Sequence, residues 1–419
     1  MKVLRHNQPD FARQLAKALA ASSLFDPVIE ERVQKIIADV QARGDAGLVE
    51  LTERFDNVKL NQLAVVGPTS KAPAALKKAI AVAHYNIAAF ARRSLRETWR
   101  MRNAQGAVVG EMFQPFQRVG IYIPGGTAPL VSTALMTITL AKVAGCPEIV
   151  VCTPPPINSS LLYAIKAAGA TEIYQVGGAQ AIAAMALGTR AIKRVQKIFG
   201  PGNAYVVAAK RLLFGRVALD LLPGPSEVLV IADDSANAAF IAADMLAQAE
   251  HGSGHERVWL VTTSMRVLEA ALAAMPEHMK TLQRREFIAK ALANACVCVL
   301  AKDLGQAVSI ANDFAPEHCE LMTKNNSALL KKIKTAGAIF LGPWAPTVAG
   351  DYLAGPSHEL PTGGAGRSFG GLTVDQFQRR TSVVELTRQS LRKSLPTMEK
   401  FAEVEGLDAH AASARKRFE

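Results

Sequence analysis

The sequence of 419 residues has no apolar run approaching the roughly 20 residues that a membrane-spanning helix needs. Its first segment, MKVLRHNQPDFARQL, is charged and lacks an apolar core, so we expect no secretory signal. Cysteine is scarce, with five residues and no CxxC spacing. Cys296 and Cys298 lie in the apolar string ACVCVLAKD, where cysteine serves as a small hydrophobe. These absences predict a cytoplasmic protein without a membrane partner or a disulfide framework.

Acidic residues are fewer than basic ones. There are 36 Asp and Glu against 48 Lys and Arg, which gives a net charge of +12 at pH 7. Proteins that bind nucleic acid often carry such an excess. The sequence, however, has no zinc-finger spacing, no RNP-like motif and no basic stripe interleaved with aromatic residues. We therefore favour solvated helix faces that attract anionic small molecules, and expect no nucleic-acid partner. Nucleic-acid binding is the weaker alternative.

Apolar residues change their spacing along the chain from helix-like to strand-like. The first seventy residues look helical, and a second long helix from about Pro73 has apolar residues three or four apart. Strand-like strings follow: RVGIYI, EIVVC and EIYQV around 120–226, then EVLVIA, RVWLV, CVCVL, HCELM and AIFL around 227–345, and TSVVEL near the C-terminus. The helical segments between them predict βαβ units, and hence an α/β fold with parallel sheets covered on both faces.

The glycine fingerprint GxGxxG of conventional dinucleotide-binding folds is absent. The nearest strings, Gly200-Pro201-Gly202 and Gly252-Ser253-Gly254, lack the third glycine. Glycine-containing turns instead follow four predicted strands, in YIPGGTAP, QVGGAQA, FGPGNAYV and LLPGPSEV. One such turn alone would indicate only a change of chain direction. Four of them predict a binding crevice, because ligands of α/β sheets bind at the carboxyl ends of strands.

Side chains suited to acid/base and metal chemistry occur in three strings. Gln248 and His251 lie one helical turn apart near the end of DMLAQAEHG, so they share a face. Glu317 and His318 are adjacent in FAPEHCEL, and adjacent side chains diverge, which favours two separate acid/base groups over one metal clamp. Asp351 lies in the glycine-containing segment AGDYLAGPSH. The pattern alone predicts a metal site and an acid/base pair.

The same parts of the chain carry a resemblance to histidinol dehydrogenases. The strings RVGIYIPGGTAPLVSTALM, GPGNAYVVAAK, PGPSEVLVIAD, LAQAEH, APEH, GDYLAGPSHELPT and EGLDAH are similar to that family in order and spacing. The similarity extends from about Asp26 to His410. It implies two incomplete Rossmann-like domains with parallel-rich sheets, and small N- and C-terminal elements that swap in a homodimer with shared active sites.

The resemblance also implies a division of the chain into four parts. An N-terminal helical element covers 1–21. The first Rossmann-like domain is discontinuous, covers 22–121 and 227–371, and carries the metal and acid/base residues. The second covers 122–226 with the NAD contacts, and 372–419 form a C-terminal dimerisation element.

Individual roles follow from the resemblance in the same way. It implies Zn²⁺ ligands at Gln248, His251 and Asp351 of one subunit and at the partner subunit's His410. It implies that Glu317 activates water and that His318 transfers protons. The implied substrate contacts are Ser226, Gln248, His251, His318, Asp351, Glu405 and His410, with His358 as a further pocket residue. The implied NAD contacts are Tyr122, Gln180 and Asn203.

The reaction that the resemblance implies is a four-electron oxidation with NAD, from L-histidinol through L-histidinaldehyde to L-histidine, in the last steps of histidine biosynthesis. A neutral His318 would accept the alcohol proton as hydride leaves. Glu317 as a carboxylate would then deprotonate the water that attacks the aldehyde, and His318 would deprotonate the hydrate. The metal would act mainly as a template that orients the substrate.

Three alternatives compete with this interpretation. One is a dehydrogenase of the same family that acts on another small alcohol or diol, against which Glu405 and His410 in EGLDAH argue. Another is a metal-dependent hydrolase, which the glycine-containing turns and the NAD matches disfavour. The third, a basic non-enzymatic binding protein, leaves the predicted metal ligands unexplained. Gly252, where the family often has aspartate, and the string GGAGRSFGGLTV depart from the family pattern and bear on substrate detail.

Overall fold

The computed structural model of the protein describes residues 1–20, 26–65, 71–125 and 128–419. The strands are β1 (Lys2–Arg5), β2 (Trp99–Arg102), β3 (Val108–Pro115), β4 (Arg118–Tyr122), β5 (Glu148–Cys152), β6 (Glu172–Tyr174), β7 (Lys197–Phe199), β8 (Ala218–Leu219), β9 (Glu227–Ala232), β10 (Arg257–Thr262), β11 (Cys296–Leu300), β12 (His318–Met322), β13 (Ala338–Leu341) and β14 (Gln378–Glu385). The α-helices are α1 (Phe11–Leu19), α2 (Pro27–Arg43), α3 (Asp45–Asp56), α4 (Ala74–Ser94), α5 (Val131–Ala144), α6 (Ser159–Ala168), α7 (Gly178–Leu187), α8 (Ala204–Leu213), α9 (Ala238–Ala249), α10 (Met265–Met279), α11 (Arg285–Ala295), α12 (Leu304–Phe314), α13 (Asn326–Leu330), α14 (Thr347–Tyr352), α15 (Arg388–Glu405) and α16 (Asp408–Arg415). No helix in these ranges is long and apolar enough to span a membrane.

A five-stranded parallel sheet forms the first of two α/β layers, in the order β6-β5-β4-β7-β8. Successive side chains of a strand point to opposite faces, and these strands are apolar at nearly every position. Val150 and Ile198 pack with α2, α3, α7 and α8 on one face. Ile149 and Val151 pack with α4, α5 and α6 on the other. The sheet is therefore buried on both sides.

A six-stranded parallel sheet forms the second layer, in the order β1-β11-β10-β9-β12-β13. Val228 and Val230 of its central strand β9 pack with α9, α10 and α11. Leu229 and Ile231 of the same strand pack with α1, α12 and α13 on the opposite face. The prediction of an α/β fold with parallel-rich sheets covered on both faces is confirmed.

A small antiparallel sheet, β14-β3-β2, joins the C-terminal segment to the rest of the chain. All eight residues of β14 pair with β3, from Gln378 opposite Pro115 to Glu385 opposite Val108. Beyond this sheet α15 packs on α16, and apolar side chains of α15 remain uncovered in the single chain, with Phe401 65% and Val404 75% exposed.

The sheets differ from the predicted division of the chain in two places. The boundary between 22–121 and 122–226 falls within β4, and the apolar faces of α2, α3 and α4 pack on the five-stranded sheet, although α4 also contacts Leu353 through Asn86. An apolar helix face shows that a helix packs on something, but not on which sheet. The N-terminal element, predicted as helical, begins with strand β1, which pairs with β11. Four residues are too few to show a strand period. Residue 21, at the first predicted boundary, lies outside the described residues.

We predict that Gly200→Ala lowers the free energy of unfolding by about 3 kcal/mol or more, because two costs add. Gly200 follows β7 with φ +110°, and a Cβ there would overlap the main-chain oxygen of Tyr122. Gly215→Ala is the matched control, since Gly215 has φ +91° and nothing lies within 4 Å of its added Cβ. It should cost only the backbone strain, about 1–2 kcal/mol. Urea denaturation measures both, and equal losses would contradict the overlap at Gly200.

Candidate active site

Two adjoining clefts open at the carboxyl ends of the five-stranded sheet, and the smaller one also faces the amino ends of β9, β10 and β12 in the six-stranded sheet. The larger, about 1450 Å³, lies on the five-stranded sheet and is lined by Tyr122, Gln180 and Asn203 among others. The smaller, about 770 Å³, lies between the sheets. Pro124 and Asn203 line both clefts. Residues of the predicted glycine-containing turns form much of these walls, as expected for ligand sites at the carboxyl ends of strands.

The smaller cleft brings together most residues predicted for the active site. Ser226, His251, Glu317, His318, Asp351 and His358 line it. Gln248 is buried on α9 one turn before His251. Glu405 and His410 line neither cleft of their own chain and are exposed, at the end of α15 and in α16. Within one chain, the smaller cleft therefore contains the predicted residues that lie on or next to the six-stranded sheet. The two C-terminal residues, Glu405 and His410, lie outside it.

Glu317 and His318 stand at the start of β12 and are both held by the main chain of Glu227, at the start of the neighbouring strand β9. The N–H group of Glu227 donates a hydrogen bond to Oε2 of Glu317 at 2.8 Å. Its carbonyl oxygen lies 3.0 Å from Nδ1 of His318. Since a carbonyl can only accept, Nδ1 of His318 carries a proton. The other ring nitrogen, Nε2, lies 3.8 Å from Oδ1 of Asp351.

Burial determines the protonation of His318. It lowers the pKa of His318 to about 4, although the carboxylate of Asp351 and the hydrogen bond to the Glu227 carbonyl oxygen oppose the shift. At neutral pH the ring is therefore uncharged, with its proton on Nδ1 and a free lone pair on Nε2. That nitrogen is a proton acceptor at the cleft.

Burial acts in the opposite direction on Glu317. It raises the pKa of Glu317 well above the ordinary value, and the carboxylates of Glu227, Asp351 and Glu359 raise it further. The hydrogen bond from the Glu227 N–H group only partly opposes this. A positive charge bound in the cleft would lower the pKa of Glu317 and favour its ionised form.

The nitrogen and oxygen donors at Gln248, His251 and Asp351 fit a divalent cation. Nδ1 of His251 lies 3.0 Å from the carbonyl oxygen of Gln248, which leaves its Nε2 free. Gln248 is 2% exposed, and its side-chain nitrogen has no hydrogen-bond partner among the described residues. An unpaired buried amide is costly, and its oxygen and nitrogen exchange by a flip, so it is available as an oxygen ligand. Mixed nitrogen and oxygen donors of this kind suit zinc.

Three candidate ligands do not complete a zinc site. Within the described ranges no cluster of three or more His, Cys, Asp or Glu is placed to hold a metal. Among the four predicted metal ligands, only His251 and Asp351 are His, Cys, Asp or Glu residues that line the smaller cleft. His410 lies elsewhere in the same chain. A fourth ligand therefore has to come from outside this group of residues.

The predicted NAD residues occupy the larger cleft with different local partners. The hydroxyl of Tyr122 accepts a hydrogen bond from the N–H group of Gly178 at 3.1 Å. The side-chain oxygen of Gln180 is buried and has no hydrogen-bond partner in the part of the chain that the structure describes. Asn203 caps α8 by accepting from the N–H groups of Tyr205 and Val206, so it also has a structural role.

Sequence reasoning missed two residues that organise the active site. Glu227 is buried and ion-paired with Arg257 at 3.2 Å, and burial raises its pKa to about 7 although Arg257 lowers it. Arg257 also donates to the carbonyl oxygen of Ala18 in α1, at 2.9 Å. One sequence feature could have indicated the role of Glu227: it is a charged residue at the start of the otherwise apolar strand EVLVIA, directly after Ser226. Glu359, 3.5 Å from Nε2 of His358, was missed as well.

These features define an α/β enzyme whose acid/base pair lies in a cleft between two parallel sheets. A histidinol dehydrogenase family model matches residues 21–418. Histidinol dehydrogenase of Vibrio parahaemolyticus is 44% identical over 399 residues, covering 93% of this chain and 92% of the relative. That of Geobacillus kaustophilus is 43% identical over 396 residues, 92% of this chain and 93% of the relative. A crystal structure of histidinol dehydrogenase from Elizabethkingia anophelis matches with a TM-score of 0.95 and 34% identity, over 100% of this chain and 98% of that one. The chain belongs to the histidinol dehydrogenase family and is an oxidoreductase.

Proposed function

We propose that this enzyme oxidises L-histidinol through L-histidinaldehyde to L-histidine, with NAD as hydride acceptor and Zn²⁺ at the substrate site. The observation that carries the proposal is the smaller cleft, where a neutral histidine and a proton-holding glutamate lie beside nitrogen and oxygen donors. Oxidation of an alcohol to an acid needs a base for the alcohol and an activated water for the aldehyde. The cleft contains one residue suited to each task.

His318 is the proposed base for the alcohol. Its Nε2 accepts the hydroxyl proton while hydride leaves the adjacent carbon, and NAD bound by Tyr122, Gln180 and Asn203 would receive that hydride. The Glu227 carbonyl at Nδ1 fixes the tautomer that makes this possible. Asp351, 3.8 Å from Nε2, stabilises the imidazolium that forms.

Glu317 is the proposed base for the second oxidation. It deprotonates the water that attacks the aldehyde carbon, and His318 then takes the proton of the hydrate as the second hydride leaves. Glu317 must be ionised for this step, although burial favours its neutral form. Zn²⁺ held by Gln248, His251, Asp351 and the partner subunit's His410 would supply positive charge and orient the substrate. The α-ammonium group of the substrate adds further positive charge, which lowers the pKa of Glu317.

We also propose a homodimer in which each tail completes the neighbouring site. His410 is exposed and outside its own cleft. The helix before it, α15, leaves Phe401 and Val404 exposed, which supports docking of this segment on a second copy. The five cysteines are unpaired and buried, which supports a cytoplasmic location.

The first prediction from this function concerns substrate and metal together. L-histidinol should reduce two equivalents of NAD for each molecule consumed, because each hydride carries two electrons. Other small alcohols and diols should give no NADH. Treatment with a chelator should abolish the reaction and Zn²⁺ should restore it. Absorbance of NADH measures both results, and full activity of protein shown to be metal-free by elemental analysis would contradict the metal site.

Glu317→Gln should slow oxidation of the aldehyde about 10²–10⁴-fold and oxidation of the alcohol far less, because only the former needs activated water. In the unsubstituted enzyme the rate of aldehyde oxidation should rise with pH, since the pKa of Glu317 is raised and the carboxylate is the active form. That rise should disappear in Glu317→Gln. Separate assays with histidinol and histidinaldehyde over a pH series measure it. Equal losses in both steps would assign Glu317 a binding or structural role.

Complementation tests the shared site. His251→Asn and His410→Asn should each be inactive alone, yet their co-expression should recover about a quarter of full activity, because half of randomly formed dimers are mixed and each has one intact site. The matched control is co-expression of His251→Asn with Asp351→Asn. Both of those residues line the cleft of their own chain, so no intact site should form. Recovery no higher in the first pair than in the control would exclude the shared site.

A further inference from the structure

Beneath the smaller cleft lies a pair of buried carboxyl groups that the proposed reaction does not use. Asp244 is on α9, one turn before Gln248, and Glu320 is on β12, two residues after His318. Asp244 is 8% and Glu320 1% exposed. The two side chains lie close enough for each to shift the pKa of the other.

Two carboxylates this close cannot both be charged inside a protein, so the pair holds a proton between them. Burial raises the pKa of Asp244 to about 6 and that of Glu320 well above its ordinary value. Oε2 of Glu320 has no other donor in the described part of the protein. Burial, the raised pKa values and the lack of another donor together favour a carboxylic acid hydrogen-bonded to a carboxylate.

The pair also reaches a third element. Oε1 of Glu320 accepts a hydrogen bond from the N–H group of Thr347 at 3.1 Å. Thr347 is the first residue of α14, the short helix that carries Asp351. One buried cluster thus joins α9, β12 and α14. These are the elements that carry the three proposed metal ligands of the chain and the acid/base pair.

We propose that Asp244 and Glu320 are positioning residues, a hydrogen-bonded carboxyl pair that fixes α9 and α14 against β12 and so sets the spacing of the metal ligands. This role rests on the proposed function, which takes Gln248, His251 and Asp351 as ligands. Groups that hold metal ligands in place affect metal affinity nearly as strongly as some ligands do. A buried pair with a purely structural role would change stability alone.

The test compares two substitutions of Glu320 in the full-length protein. Glu320→Gln keeps an oxygen for the Thr347 N–H group and an amide that donates to Asp244. Glu320→Met has a similar length and keeps neither. Affinity for Zn²⁺ alone, measured by competition with a chromophoric chelator, should fall about 10–100-fold in Glu320→Met. Glu320→Gln should stay within about threefold of the parent protein, since its hydrogen bonds are retained.

Two further comparisons keep the result interpretable. Asp244→Asn and Asp244→Leu repeat, on α9, the comparison of a substitution that keeps hydrogen-bonding groups with one that removes them. If Glu320→Met does not fold, the zinc affinities of these two variants test the positioning role instead. Glu172→Met is the control, because Glu172 pairs with Arg118 in the five-stranded sheet and should affect stability without changing zinc affinity. Unchanged zinc affinity in a folded Glu320→Met, or equal losses in the Gln and Met variants, would overturn the positioning role. Absence of zinc binding by the parent protein would contradict the proposed metal site itself, and the role of the pair with it.

Discussion

The parallel pairing of β9 with β12 is the constraint on which the active site depends. It places the main chain of Glu227 beside Glu317 and His318, so that one residue holds the acid and the base through its N–H group and its carbonyl oxygen. Main-chain groups in the middle of a buried sheet cannot move without breaking the ladder of hydrogen bonds on both sides. The orientation of both side chains therefore follows from the register of two central strands.

Burial at this position favours the uncharged forms of both Glu317 and His318. The protein carries a net charge of +12, yet its smaller cleft concentrates the carboxyl groups of Glu317, Asp351 and Glu359, with Glu227 behind them. Their mutual repulsion raises the pKa of Glu317. A positively charged ligand relieves that repulsion, so binding and ionisation of the base are thermodynamically linked. The overall basic charge of the chain gives no indication of this local preference.

Local features of the sequence were sufficient for most strands of the two parallel sheets and for several residues of the smaller cleft, because short apolar strings and adjacent acid/base residues are visible within a few positions. The strand-like strings did not include β1, β2, β3, β7 or β8. What they could not show is non-local. The role of Glu227 depends on which strand lies beside β12, and the packing of α2 to α4 depends on which sheet covers their apolar faces. The contact of Asp244 with Glu320 joins positions 76 residues apart, counted from their numbers. The proposed placement of His410 in the cleft of a second copy concerns two chains, and a pattern in one chain cannot show it.

The polarity of the six-stranded sheet has a practical consequence for labelling the protein. Its strands all run parallel, and the smaller cleft opens at their amino ends, where Ser226 and Glu317 directly precede β9 and β12. The first strand, β1, begins at Lys2 at one edge of the sheet, so the exposed Met1 lies at the same amino ends, three strands away from β9. A polyhistidine purification tag fused there would start at the end of the sheet that carries the cleft, where its imidazoles would compete with the proposed metal ligands. The same tag at the other terminus would begin four residues after the end of α16, the helix of His410, so either tag would have to be removed before zinc binding is measured.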